Sequence, residues 1–116
     1  MLVGFSIDVD EDEDVPVLNI KGEIDIYSCP QLRTALSKLI DKGKQTFIIN
    51  MESIQYIDST GLGTIAHTAQ TVKANDGYIH IICNKPQIVK IFEVSGLQKK
   101  NIRLYESETA VMKALN

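Results

Sequence analysis

Cysteine is scarce in this sequence, and the two cysteines that are present lie far apart. Cys29 and Cys83 are the only ones among 116 residues, and their separation matches neither a metal site nor a redox pair. A small secreted domain usually carries more cysteines, in pairs that form disulfides. The scarcity of cysteine therefore argues against a secreted, disulfide-linked domain and favours the reducing cytoplasm.

Long apolar runs and basic runs are also missing. No stretch approaches the roughly 20 apolar residues that a membrane-spanning helix needs, and residues 1–5 lack the basic and apolar regions of a signal peptide. The net charge is −3 and the pI is about 5.3, so neither nucleic acid nor an anionic membrane is expected as a direct partner. Any effect on transcription would then pass through another protein.

The length and composition are those of one globular domain. Hydrophobic residues make up 44% of the chain and charged residues 23%. A chain of this size buries roughly 65% of the surface that its unfolded form exposes, which is enough for a core without disulfides or a structural metal. Since no repeat, linker or low-complexity tract interrupts the sequence, we expect residues 1–116 to form a single domain.

Apolar periodicity predicts alternating strands and helices. Period-2 alternation and short apolar runs predict strands within residues 3–9, 15–20, 47–49, 78–83 and 102–105. Helical stripes predict a first helix near Pro30 after a Ser28 cap, a second within residues 62–72, a third from Pro86 to Gly96, and a fourth after a Ser107 cap. Residues 22–27 and 52–58 are predicted as loops.

The predicted order of elements is ββαβαβαβα. Strands separated by helices imply right-handed crossovers and a mostly parallel sheet, while the first two strands form an antiparallel hairpin. The expected fold class is therefore α/β, with a mixed, mostly parallel sheet and an N-terminal β-hairpin. Residues 10–14 are five consecutive acids in the hairpin connection, and they lack the glycine and the distal glutamate of a calcium loop, so no metal site is predicted.

The most informative segment is residues 57–63, between a buried strand and an amphipathic helix. Ser59 or Thr60 lies at or beside the helix N-cap, and two glycines follow in the first turn, where each costs about 1 kcal/mol relative to alanine. One interpretation is a simple cap, with glycines that permit tight helix–sheet packing. The other is a phosphorylation site, because the N–H groups and partial positive charge of a helix N-terminus accommodate a phosphate. Both interpretations stay open from the residues alone.

Three segments together resemble one known family. Residues 58–63 (Asp-Ser-Thr-Gly-Leu-Gly) are similar to the signature of the bacterial anti-sigma-factor antagonists, the STAS domains. Residues 22–25 (Gly-Glu-Ile-Asp) resemble the family's loop after the second strand, and residues 92–97 (Phe-Glu-Val-Ser-Gly-Leu) resemble the end of its third helix. The predicted order of elements agrees with the family over essentially the whole chain.

The resemblance implies a protein switch. In this family the anti-sigma factor is a serine kinase, which binds the unphosphorylated antagonist and releases a sigma factor. Phosphorylation prevents that binding, and a PP2C-type phosphatase reverses it. By resemblance Ser59 is the phosphoacceptor, and Thr60 is a partner-binding residue and a secondary acceptor. The kinase would supply ATP and magnesium, so the chain needs no cofactor of its own.

The resemblance also assigns roles to the neighbours of Ser59. Asp58 would position the serine and contact the partner, and Asp25 would lie beside the site and take part in kinase recognition. Gly61, Leu62 and Gly63 would shape the start of the helix against the partner surface. The alternative function is a STAS scaffold or regulatory subunit in another partner-switching or stress-signalling complex, and weak nucleotide binding also stays open.

Two other classes of protein fit the sequence poorly. A serine hydrolase would need Gly-x-Ser-x-Gly, but Ile57 occupies the first position, and His67 is eight residues along the same predicted helix, about 12 Å from Ser59. A receiver domain phosphorylated on Asp58 would not open with a hairpin, and Asp58 is expected well past the end of its strand. His67 and His80 are instead expected on a polar helix face and on a strand facing solvent or a helix.

Overall fold

The computed structural model describes residues 4–99 and 101–115. The strands in this part of the chain are β1 (Ser6–Asp10), β2 (Val17–Ile24), β3 (Phe47–Ile57), β4 (Ile79–Ile82) and β5 (Ile102–Tyr105). The helices in the same part are α1 (Cys29–Asp41), α2 (Ser59–Lys73), α3 (Pro86–Ser95) and α4 (Glu108–Leu115), with a 3-10 turn at Leu97–Lys99. The predicted ββαβαβαβα order is confirmed. Val3, the predicted start of the first strand, lies outside the described residues.

The strands form one sheet in chain order, β1-β2-β3-β4-β5. β1 pairs with β2 in the antiparallel sense, with Ile7 opposite Ile20, and each later pair of neighbours is parallel. The predicted hairpin and the mixed, mostly parallel sheet are therefore confirmed. Asp8 and Asp10 are exposed on the edge strand β1, where their charges disfavour pairing with another chain.

Helices α1, α2 and α3 cover one face of the sheet, and α4 lies on the other. Each of the first three helices connects strands that advance in the same direction across the sheet, so right-handed crossovers place all three on one side. The main core contains buried side chains from each of them, among which are Leu36, Ile65 and Phe92. On the opposite face, Val111 of α4 packs with Ile48 and Ile82 in a smaller core.

The carboxyl ends of β2 and β3 extend further than predicted, which corrects two loops. Residues 22–24 continue β2 and residues 52–57 continue β3, and the pair remains in register at Ile24 and Ile57. The register shifts twice between Asn19 and Glu23, each time with one extra residue on β3, so burial alternates strictly along β2 but not along residues 52–57 of β3. A search for period-2 alternation misses strands that contain such bulges.

The longer β3 places Asp58 immediately after the strand. The expectation that Asp58 falls well past the strand end is therefore wrong. The other argument against a receiver domain, the opening hairpin, is confirmed.

Of the two predicted serine caps, one is confirmed and one is wrong. Ser107 accepts a hydrogen bond from the amide of Ala110 at 3.2 Å, at the start of α4. Ser28 precedes α1 but makes no side-chain cap bond to that helix. Its hydroxyl bonds to the backbone of the preceding loop instead.

No helix within residues 4–99 and 101–115 is long and apolar enough to cross a membrane.

Candidate partner-binding site

The predicted site lies where β2 and β3 end side by side. The amide of Asp58 donates a hydrogen bond to the carbonyl oxygen of Ile24 at 3.1 Å. This bond brings together two of the three segments that carry the family resemblance, because Asp25 follows Ile24 and Ser59 follows Asp58. The segments meet at the carboxyl edge of a parallel sheet, where α/β proteins commonly place their binding sites.

Asp58 is the N-cap of α2. Its Oδ1 accepts a hydrogen bond from the amide of Gly61 at 3.0 Å, and its carbonyl oxygen accepts the amide of Leu62 at 3.0 Å. A carboxylate at this position also complements the positive end of the helix dipole. Ser59 and Thr60 are therefore the first two helical residues, beside the cap rather than at it.

Ser59 is exposed on the first turn of α2, whereas Thr60 is half-buried. The amides of a first helical turn have no acceptor within the helix, so this surface carries a partial positive charge. An exposed hydroxyl at such a position is accessible to a protein kinase, and the helix end can accommodate the phosphate that results.

The two glycines of the segment have different surroundings. A Cβ atom on Gly61 would lie 2.7 Å from Cγ2 of Ile24 and 2.8 Å from Cγ1 of Ile57, so this glycine permits α2 to pack on the strand ends. A Cβ atom on Gly63 would meet nothing within 4 Å. Leu62 is half-buried against the main core. Packing thus explains Gly61, while Gly63 leaves an open surface that packing does not require.

Asp25 organises the loop between β2 and α1. Its Oδ1 accepts hydrogen bonds from the amides of Tyr27 (2.9 Å) and Ser28 (3.0 Å). The buried hydroxyl of Ser28 donates to the carbonyl oxygen of Glu23 at 2.7 Å and accepts from the amide of Asp25 at 2.9 Å. The loop is closed further by the amide of Cys29, which donates to the carbonyl oxygen of Asp25 at 2.8 Å. Asp25 lies beside the site as predicted, and the structure also gives it a role in shaping the loop.

Sequence reasoning missed three exposed apolar side chains near this edge. Ile26 is 63% exposed and Tyr27 is 87% exposed, both in the loop that Asp25 organises, and Tyr56 near the end of β3 is 48% exposed. The signal was available as an apolar pair, Ile26-Tyr27, within a segment predicted to be a loop.

A groove of about 500 Å³ runs between α1 and α2 from the start of α2. Thr60, Gly63 and His67 line it on α2, and Arg33 and Asp41 line it on α1. The groove extends the accessible surface from the N-terminal turn of α2 along the pair of helices. A partner that covers Ser59 can therefore also contact Thr60 and Gly63.

Nothing in the described residues resembles a catalytic or metal centre around Ser59. His67 is eight residues along α2, which corresponds to about 12 Å of helical rise, too far for it to activate the hydroxyl of Ser59. Within residues 4–99 and 101–115, no group of three or more histidine, cysteine, aspartate or glutamate side chains could hold a metal ion.

Comparison with known protein families shows to which family this chain belongs. The STAS domain family model matches residues 6–111. The chain belongs to the STAS family. Two curated relatives are anti-sigma-B factor antagonists, one from Staphylococcus aureus (strain NCTC 8325 / PS 47) and one from Bacillus subtilis (strain 168). The STAS chain is 32% identical to the first over 81 residues, which is 70% of this chain and 75% of that protein. It is 33% identical to the second over 96 residues, which is 83% of this chain and 87% of that protein.

Solved structures confirm the STAS fold. An anti-sigma factor antagonist from Mycobacterium paratuberculosis matches with a TM-score of 0.85 at 22% identity, over 96% of this chain and 93% of that one. Unphosphorylated SpoIIAA, an anti-sigma factor antagonist, matches with a TM-score of 0.74 at 22% identity, over 97% and 99% of the two chains. The phosphorylated form of the Bacillus SpoIIAA matches with a TM-score of 0.73 at 24% identity, over 97% and 100%.

Proposed function

We propose that this STAS protein is an anti-sigma-factor antagonist that is switched by phosphorylation of Ser59. The unphosphorylated protein binds an anti-sigma-factor serine kinase and thereby releases a sigma factor, which places its action in the bacterial cytoplasm. The phosphorylated protein does not bind, and a PP2C-type phosphatase restores it. The chain is a regulatory protein rather than an enzyme, in keeping with the names of its curated relatives. In this proposal it is the substrate of the kinase.

The observation that carries this proposal is the position of Ser59. It is an exposed residue on the first turn of α2, directly after the Asp58 cap and at the edge where β2 and β3 end. A hydroxyl there is accessible to a kinase, and its modification alters the charge of the surface without entering the core.

The energetic consequences of a phosphate at Ser59 differ for the fold and for a complex. A phosphate adds nearly two negative charges at neutral pH. The helix end stabilises such a charge by at most about 2 kcal/mol. A phosphate buried against a partner without compensation costs about 3 kcal/mol or more, which is about a hundredfold in affinity. Phosphorylation should therefore break the complex and leave the domain folded.

Two further observations support the same proposal. The chain resembles the unphosphorylated and the phosphorylated forms of SpoIIAA almost equally, with TM-scores of 0.74 and 0.73, so the fold is compatible with both states. Gly63 also leaves an open surface one turn after Ser59, beside Thr60 and the α1–α2 groove. Close approach of a partner backbone is a reason for glycine where internal packing gives none.

The proposal is tested by affinity capture from a lysate of the source organism with wild-type and Ser59→Asp baits. We expect a small ATP-binding kinase on the wild-type protein and its loss from the Ser59→Asp protein. The captured kinase is then purified and incubated with ATP and the wild-type, Ser59→Ala and Thr60→Val proteins, and the phosphorylated residue is located by mass spectrometry.

We expect Ser59→Ala to bind the kinase and to resist labelling, and Thr60→Val to be labelled on Ser59. Labelling of Ser59→Ala would move the acceptor to Thr60 or elsewhere. If both capture baits retained the same partner, the scaffold or regulatory-subunit function would replace the switch.

A further inference from the structure

The loop between β2 and α1 carries two consecutive apolar side chains that face solvent. Ile26 is 63% exposed and Tyr27 is 87% exposed, the latter the largest exposure among the large hydrophobic side chains of the described residues. Scattered exposed apolar residues are ordinary, but contiguous ones on a surface mark sites of protein–protein contact.

Hydrogen bonds within the chain itself hold this loop in one conformation. Oδ1 of Asp25 holds the amides of Tyr27 and Ser28, at 2.9 and 3.0 Å, and the Ser28 hydroxyl joins Glu23 to Asp25. A loop that is already ordered loses little conformational entropy on binding, so the side chains that it presents contribute more of their burial to affinity.

The loop is also continuous with the phosphorylation site. The hydrogen bond between the amide of Asp58 and the carbonyl oxygen of Ile24 joins the two strand ends, so Ile26 lies two residues beyond one end of the bond and Ser59 one residue beyond the other. A partner whose catalytic groups reach the hydroxyl of Ser59 is therefore brought next to this loop.

We infer that Ile26 and Tyr27 are the apolar anchors by which the anti-sigma-factor kinase holds this protein, and that Asp25 is the residue that positions them. The occupant of the surface is thus an apolar pocket of the kinase, next to the active site that receives Ser59. The inference rests on the proposed function, because the kinase is the partner that must reach Ser59.

Tyrosine is well suited to such an anchor. Its large and rigid ring buries much area for little loss of rotamer freedom, and tyrosine is enriched among the residues that dominate binding energy. Ile26 adds an aliphatic side chain beside it. Asp25 acts through the backbone, since its bonds to the amides of Tyr27 and Ser28 hold the loop conformation.

The anchors are tested by calorimetric titration of the captured and purified kinase with the 116-residue chain. The variants are Ile26→Ser, Tyr27→Ser and, as a matched control, Met112→Ser, which removes a 42% exposed apolar side chain from α4 on the opposite face of the sheet. We expect each loop variant to weaken binding by about tenfold or more and the control to bind as the wild type does. In steady-state phosphorylation of Ser59, the loop variants should raise KM and leave kcat unchanged, because the anchors bind ground state and transition state alike.

The positioning role of Asp25 is tested with Asp25→Ala and Asp25→Asn. The asparagine retains an oxygen that can accept the two amides, so it should keep slow amide exchange at Tyr27 and Ser28 and rescue most of the binding that the alanine loses. If the Asp25→Asn protein lost as much binding as the Asp25→Ala protein while its amide exchange stayed that of the wild type, Asp25 would instead contact the kinase directly through its charge.

Two outcomes separate the inference from the function on which it rests. If Ile26→Ser and Tyr27→Ser both bind within about twofold of the wild type while Ser59→Asp fails to bind, the loop is not the anchor and the switch stands. If no kinase binds or phosphorylates the wild-type protein, both are overturned.

Discussion

Gly61 lies so close to Ile24 that a side chain on the glycine would collide with it, at 2.7 Å between the added Cβ and Cγ2. Gly63, two residues later, faces open space. The two residues give the same signal in the sequence, yet the first permits α2 to pack on the ends of β2 and β3 and the second leaves a surface free. Substitution separates these roles.

We expect Gly61→Ala and Gly63→Ala to change stability in opposite directions. Overpacking at Gly61 costs about 1–3 kcal/mol and exceeds the gain in helix propensity, which is at most about 1 kcal/mol. Gly63→Ala should keep that gain and stabilise the fold, but weaken kinase binding by placing a methyl group in the contact surface. Urea unfolding and calorimetric titration of both variants measure the two effects. A Gly63→Ala protein that is less stable than the wild type would contradict this assignment.

We expect Asp58→Ala and Asp58→Asn to distinguish the helix-capping hydrogen bond of Asp58 from the effect of its negative charge. Alanine removes the acceptor for the amide of Gly61, and loss of such a cap costs about 1 kcal/mol, whereas asparagine retains an acceptor and caps equally well. Thermal unfolding should therefore show a lower midpoint for alanine alone. If the carboxylate also contacts the kinase, asparagine should lower the affinity at unchanged stability. Equal stability of all three proteins would show that the cap bond contributes nothing.

We expect stability to fall in mild acid because of His80. This side chain is 8% exposed, and its Nδ1 lies 3.0 Å from the hydroxyl of Tyr105. Burial, followed by the positive charge of Arg103, lowers the pKa of His80 below its ordinary value of 6.5. Of the two positions expected from the sequence, solvent is excluded, because His80 is buried between Tyr78 and Tyr105. It shares a face of β4 with Ile82, which packs against α4.

The direction in which the free energy of unfolding changes with pH depends on whether the folded or the unfolded protein binds the proton first. Above pH 6.5 the imidazole is neutral in both states and costs nothing. As the pH falls below 6.5 the unfolded chain takes up the proton before the folded one, so the free energy of unfolding decreases until the pH passes the lower folded pKa. Urea unfolding at several pH values should show this slope in the wild type and in His67→Gln, an exposed control, but not in His80→Gln. A slope that survived in His80→Gln would have to come from other groups.

We expect neither cysteine to react with a thiol reagent while the protein is folded. Cys29 is fully buried, Cys83 is 2% exposed, and burial raises the pKa of the Cys83 thiol, which lowers the fraction of reactive thiolate. Labelling at pH 8 followed by mass spectrometry should be slow in buffer and complete in denaturing urea. Rapid single labelling in buffer would reveal a local opening around one of the two thiols.

The sequence by itself determined the order of the elements and the position of Ser59 near the start of a helix. Helical stripes, alternating strands and the Ser107 cap are local signals, since they depend on residues within a few positions of one another. The same is true of Ser59 at the start of a helix after a strand. The residues alone left the segment open between a cap and a phosphorylation site, and the resemblance of residues 58–63 to the STAS signature is what led to the proposed function.

Tertiary structure decided what each residue of the site does, because those roles depend on segments that are distant in sequence. The pairing of β2 with β3 extended both strands, and two bulges on β3 interrupt the alternation of that strand. That pairing placed Ile24 against Gly61, and so gave one glycine a packing role that its neighbour Gly63 lacks. In the loop next to it, the hydroxyl of Ser28 bonds to the backbone of Glu23 and Asp25 rather than to its own helix, a choice between two local partners that the sequence pattern did not decide. The strand pairing and the contact of Gly61 with Ile24 join residues far apart in the sequence, so no local pattern encodes them.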